Sequence, residues 1–182
     1  MLGNAEIGHD TQYFPQNGFS VSGKPLPENL TAMQNIAIFM DKPDEGEIIA
    51  LAAKVGLTAG DLNKYPTELS GGMAKRVAFL RLLLCGCDLA LLDEPFVGLD
   101  RDLCDILVAM LVEKIERQGM ACMLVTHDRF EAARLSHEIM LLSTKGMNVQ
   151  NVITLPTPLS KRDSAFEEAV VAREFQGIHY YE

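Results

Sequence analysis

The sequence predicts an α/β fold: helices layered on a sheet that is parallel over its central strands. Three observations carry this. Asp88–Leu92 is apolar after its first residue and Ala121–Val125 is apolar throughout, as in strands covered on both faces. Between them Asp100–Arg117 places Leu103, Ile106, Leu107, Met110, Leu111 and Ile115 at the helical period, with Gly119 as a stop. Strand, helix and strand in alternation lead to parallel pairing through a crossover.

The remaining elements follow in chain order. A short strand is expected over about Thr11–Phe14, ending at Pro15-Gln16. Asn17–Asn29 is rich in Gly, Pro, Ser and Asn and reads as a loop. Within it, Gly18 to Lys24 fits G-x-x-x-x-G-K, but Pro25 stands where a phosphate loop needs Ser or Thr, and Pro27 interrupts a following helix. It is therefore read as a decoy. Thr31-x-x-Gln34 is a capping box, with Leu30, Met33, Ile36, Ala37 and Met40 on one face of the helix it opens. A second helix is expected from about Asp44 to Val55, stopping at Gly56, and a helical turn over Ala59–Lys64. From Met73 a third carries Met73, Val77, Leu80 and Leu84 inward, with Lys75, Arg76 and Arg81 on other faces. After Val125 come a helix over Arg129–Leu135 and strands over Ile139–Leu142 and Val149–Leu155. Ser164-x-x-Glu167 caps a last helix with Phe166, Ala169 and Val170 inward.

Composition narrows the function classes. The 182 residues form one domain-sized unit able to bury a core. A net charge of −9 and a pI near 4.9 argue against a general nucleic-acid or anionic-membrane binder. No apolar run is long enough for a membrane span, and the polar N-terminus is unlike a secretory signal. Cys85, Cys87, Cys104 and Cys122 read as buried thiols of a reducing compartment, with no histidine near the Cys85/Cys87 pair to complete a zinc site.

Three motifs carry chemistry. Ser70-Gly71-Gly72 opens a helix: the glycines admit close approach of an anion, the first N–H groups are unpaired, the helix dipole is positive there and the serine hydroxyl is a donor. Asp93, at the end of an apolar strand, is placed to hold Mg²⁺, and Glu94, pointing elsewhere, can orient or deprotonate an attacking water. His127, just past the next strand at the same sheet edge, can donate to a terminal phosphate. His9, His137 and His179 have no such setting and are read as structural.

As a set, Leu69-Ser-Gly-Gly-Met73, Leu89-Ala-Leu-Leu-Asp-Glu-Pro95 and Thr126-His-Asp128 resemble the signature, Walker B and switch-histidine motifs of ABC-type ATPases, with Gly98-Leu99-Asp100 completing the pattern after Walker B, and the resemblance runs from about Thr11 to Leu155. Asp128 to Ala132 is similar to the Thr-His-Asp-x-x-Glu-Ala of bacterial importer ATPases, and Phe96, Met73 and the tail Ile153–Pro158 resemble the nitrate, sulfonate and taurine importer group. The resemblance implies a partial P-loop NTPase (ABC ATPase) fold: a RecA-like core over 1–16 and 77–160, a helical subdomain over 17–76 that bears the signature loop, and a C-terminal helix and tail over 161–182. It implies Glu94 and His127 as catalytic groups, Ser70, Gly71, Gly72, Gln16 and Asp100 as nucleotide contacts, and Asp93 and Gln16 as metal ligands, with ATP and Mg²⁺ as cofactors. The implied partners are a second ATPase subunit, in a homo- or heterodimer, a transmembrane permease and, indirectly, a solute-binding protein. The implied location is cytoplasmic, on the inner face of the membrane.

The chain departs from the family at its front, where nothing matches the N-terminal β-lobe or the Walker A strand and loop, which are expected to be absent. The expectations are weak ATP binding by this chain alone and an exposed apolar strand edge, the missing strand being placed beside the Walker B strand. The leading reading is an ATP-hydrolysing importer subunit, here truncated. The alternative is a catalytically incomplete subunit that lends only its signature loop to a partner ATPase. A soluble ABC protein of DNA repair or translation fits less well, given the acidic charge and the lack of coiled-coil heptads.

Overall fold

The computed structural model describes residues 18–20, by their backbone, and 26–143 and 148–175. Gln16, the strand expected over Thr11–Phe14 and the Gly23-Lys24-Pro25 end of the decoy lie outside the described residues. The elements run β1 (Gly18–Ser20), α1 (Ala32–Ala37), α2 (Glu45–Lys54), α3 (Ala59–Leu62), α4 (Gly71–Leu84), β2 (Leu89–Asp93), α5 (Arg101–Gln118) and β3 (Ala121–Val125). There follow α6 (Arg129–Leu135), β4 (Glu138–Leu142), β5 (Val149–Thr154) and α7 (Ser164–Glu174), with 3-10 turns at Pro66–Glu68 and Leu159–Lys161.

β1, β2 and β3 form a parallel sheet in that order, and β4 and β5 a separate antiparallel pair. Two expectations are corrected here. First, β1 lies within Asn17–Asn29, read as a loop, and pairs Phe19 with Ala90 of β2. Pairing with an apolar neighbour overrides the turn composition of that segment. Second, β2 is flanked on both sides, so no further strand fits beside it; among the described residues the outer edges belong to β1 and β3.

Alternation along the strands explains which face of the sheet is packed. Ala90 and Leu92 are fully buried, and the face they share with Cys122 and Leu124 lies on a core drawn from α1, α2, α4 and α5. The opposite face carries Leu91 beside Met123 and Asp93 beside Val125, and Met123 and Val125 are 61% and 56% exposed. The apolar runs predict cover on both faces; the described residues cover one. A second core joins α6, β4, β5 and α7 through Ala133, Ile139, Leu141, Ile153, Leu155, Val170 and Phe175.

The helices match their sequence signals with local differences. The Thr31–Gln34 capping box is present, Asp44 caps α2, and Gly56 and Gly119 take the left-handed conformation that stops α2 and α5. Helix α4 is buried almost all round, including Phe79, Leu82 and Leu83. Arg81, expected on another face, is only 2% exposed, its guanidinium 5.4 Å from the centre of the Phe39 ring. Ile106 of α5 and Ala169 of α7 are exposed rather than inward, and Asp163, not Ser164, caps α7 by accepting from the Phe166 N–H at 2.9 Å. An aspartate one residue earlier is as good a cap as serine, which spacing alone does not separate.

Candidate functional site

Strand β2 brings Asp93 to its carboxyl end, level with Val125 of β3. The chain then turns sharply. Glu94 has φ of 46°, in the left-handed region that residues with a Cβ seldom adopt, and its N–H donates to the Val125 carbonyl at 2.9 Å. This turn accompanies a side-chain reach to the loop after β3. Glu94 Oε1 accepts from the His127 backbone N–H at 3.1 Å and meets His127 Nδ1 at 2.6 Å. Glu94 Oε2 is buried and meets no donor among the described residues.

The imidazole of His127 is 76% exposed. Its pKa is raised, first by the hydrogen bond to Glu94 and then by that carboxylate's charge. With Nδ1 on Glu94, Nε2 is the ring nitrogen that this contact leaves unengaged. Asp128, the next residue, caps α6 by accepting from the N–H groups of Phe130 and Glu131 at 2.7 and 3.2 Å.

Ser70 caps α4, its hydroxyl oxygen accepting from the Met73 N–H at 3.2 Å. That bond leaves the hydroxyl proton free to donate outward. A side chain at Gly71 or Gly72 would meet nothing within 4 Å. No contact among the described residues requires these glycines, and on that side the helix start is open to an incoming group. Lys75, one turn on, donates to the Val97 carbonyl and ties α4 to the segment after Pro95. Asp100 caps α5 through Leu103 N–H at 2.9 Å and is itself exposed.

The structure thus brings Asp93, Glu94 and His127 to one end of the sheet. Among the described residues no hydrogen bond joins them to Ser70, Gly71, Gly72 or Asp100. Nor do any three or more His, Cys, Asp or Glu side chains among the described residues form a group that could hold a metal ion. Asp93, a single exposed carboxylate at the end of β2, nevertheless fits Mg²⁺, which keeps several waters and is characteristically held by one or two carboxylates together with substrate phosphates. Sequence reasoning missed Arg76, which donates to the carbonyls of Gly72 at 3.2 Å and Val55 at 3.0 Å and holds the glycine turn against α2. Its acceptors are backbone carbonyls, one of them distant in sequence, and leave no motif.

The ABC transporter family profile matches residues 4–97. The chain is 36% identical over 139 residues to the aliphatic sulfonates import ATP-binding protein SsuB 2 of Rhodococcus jostii, covering 76% of this chain and 57% of that one. It is 36% identical over 157 residues to SsuB of Bacillus cereus (84% and 62%), and 38% identical over 138 residues to the nitrate import ATP-binding protein NrtC of a Synechocystis species (71% and 20%). The chain therefore spans about three fifths of the length of the SsuB relatives. Among solved structures, the ATP-binding cassette MJ0796, a dimer in a post-hydrolysis state with ADP and phosphate, superposes with a TM-score of 0.64 at 26% identity, over 78% of this chain and 64% of that one.

Proposed function

Because this chain belongs to the ABC transporter ATP-binding family, we propose that it is the ATP-binding, ATP-hydrolysing subunit of an importer of the sulfonate and nitrate type. The observation that carries this is the Glu94–His127 pair at the end of β2 and β3, with one oxygen of Glu94 engaged and the other left over.

The geometry supports the following division of labour. Glu94 Oε1 holds the imidazole, so Oε2 is the oxygen that orients the attacking water and accepts its proton. His127, held at Nδ1 and biased towards the protonated form, donates from Nε2 to the terminal phosphate. Asp93 would hold Mg²⁺ through water, where the ion neutralises charge on the phosphate oxygens. Gln16, outside the described residues, is the second ligand in this reading. Ser70 with the N–H groups of Gly71 and Gly72 donates to the phosphates of a nucleotide held by a second subunit, and Asp100 lies at that junction. The open setting of both half-sites suits such a facing arrangement. The helical lobe docks on a permease fed by a solute-binding protein, at the inner face of the membrane. Among the described residues no helix is long and apolar enough to cross a membrane.

The test is Mg²⁺-dependent ATP turnover by the chain, alone and mixed with a complete SsuB subunit, as wild type and Glu94→Gln. Turnover above that of SsuB alone and lost in Glu94→Gln is expected. Added turnover that survives Glu94→Gln contradicts the role given to Glu94. Nucleotide binding with no added turnover favours the subunit that lends only its signature loop.

A further inference from the structure

Beside the Glu94 contact lies a second anchor on the same loop. Thr126 Oγ1 donates to Glu131 Oε2 at 2.7 Å and accepts from the Asp128 N–H at 3.0 Å. A hydroxyl has one proton. While Glu131 takes it, the lone pairs of Thr126 are directed to Asp128. His127 therefore sits between two tethered peptide groups: its own N–H is held by Glu94, and the next N–H by Thr126. Glu131 is partly buried on the first turn of α6, and its own backbone N–H is held by Asp128. The ring thus closes through Thr126, Asp128 and Glu131.

We propose that Glu131 is a positioning residue for His127: by fixing the Thr126 hydroxyl it clamps the Thr126–Asp128 loop and aims the imidazole at the Glu94 carboxylate. The inference rests on the site reading above for its significance, but not for its test. Glu131 touches neither the imidazole nor any group placed in the nucleotide's path. Apart from the charge it places near His127, its hold on the loop passes through one hydroxyl, so the loop geometry should survive a change that keeps an acceptor at 131 or a hydroxyl at 126. Glu131→Gln retains the acceptor and Thr126→Ser the hydroxyl. Thr126→Val, nearly isosteric, removes the hydroxyl without changing charge.

The experiment is nucleotide-free, so its failure is separate from a failure of ATP binding. The ring ¹⁵N shifts of His127 and the amide exchange rates of His127 and Asp128 are recorded at one pH in wild type and four variants. In Thr126→Val and Glu131→Ala, both amides should exchange faster and the His127 Nδ1 signal should lose the signature of its bond to Glu94. In Thr126→Ser the wild-type pattern should return, and in Glu131→Gln the wild-type amide exchange rates and the Nδ1 signature of the bond to Glu94 should return, the neutral amide changing only the charge near the ring. If Thr126→Val leaves the His127 signals unchanged, or if Ser and Gln fail to restore them, the proposal is overturned. The two conservative variants keep the test decisive even if Glu131→Ala does not fold.

Discussion

Glu94 Oε1 and His127 Nδ1 lie 2.6 Å apart across the ends of two parallel strands, joining residues 33 positions apart in the chain. The contact depends on the left-handed backbone of Glu94 and on the register that sets Asp93 opposite Val125. It makes the imidazole an extension of the β2 terminus, and several consequences are measurable.

The pair links protonation to folding. The folded pKa of His127 lies above the ordinary value of about 6.5 because Glu94 accepts from the ring. Its contribution to stability is therefore complete at pH below that ordinary value and is lost as pH rises through the raised folded value. His127→Ala should lower the melting temperature most at mildly acidic pH, with the gap narrowing towards alkaline pH. A gap that is constant across the range, measured by differential scanning calorimetry, would contradict the assignment.

Ser70 has a capping role separable from its proposed phosphate contact. Ser70→Ala should cost about 1 kcal/mol in urea denaturation. Ser70→Asp should keep the cap and most of that stability, yet place a negative charge where an anion is expected. The two variants should thus differ in stability and agree in weakening the response to added ATP.

Burial differs sharply between the two faces of the sheet. Leu92→Ala, on the packed face, should cost about 2–5 kcal/mol. Met123→Thr, on the open face, should change stability by no more than ~0.5 kcal/mol. Comparable losses in chemical denaturation would mean that the open face is covered in solution.

Arg162 is a further structural dependency. It is 9% exposed and donates to the carbonyls of Ala133, Ser136, Leu155 and Thr157 at 2.7–3.0 Å. Arg162→Met leaves those buried acceptors without their donor, at a cost of roughly 3 kcal/mol. Arg162→Lys should recover only part of it, because an ammonium cannot reproduce the planar fork. Thermal melts of the two variants decide this.

These residues also mark what was legible in the sequence. Helix α6 has the bounds read from it, and the Thr31 capping box and the Gly119 stop are where local chemistry puts them, because such signals act within one turn. The convergence of Asp93, Glu94 and His127 was legible because parallel strands present their carboxyl ends to one edge. Arg162 and Arg76 gave no signal, since their partners are carbonyls that only the fold assembles. Arg81 was misplaced because a charge predicts exposure, whereas its guanidinium lies over Phe39. The left-handed turn at Glu94 was invisible, since glutamate has no preference for it. β1 was missed because pairing with β2, not composition, makes it a strand.

The central claim is that Glu94 and His127 at the strand ends, and the Ser70 turn at the start of α4, both meet a nucleotide's phosphates. The most direct measurement is an NMR titration of the ¹⁵N-labelled chain with Mg²⁺ and a non-hydrolysable ATP analogue. The His127 ring and the Ser70, Gly71 and Gly72 amides should shift together, and the His127 response should be altered by Glu94→Ala. If the analogue binds while these signals stay fixed and others move, the phosphates lie elsewhere and the account is wrong.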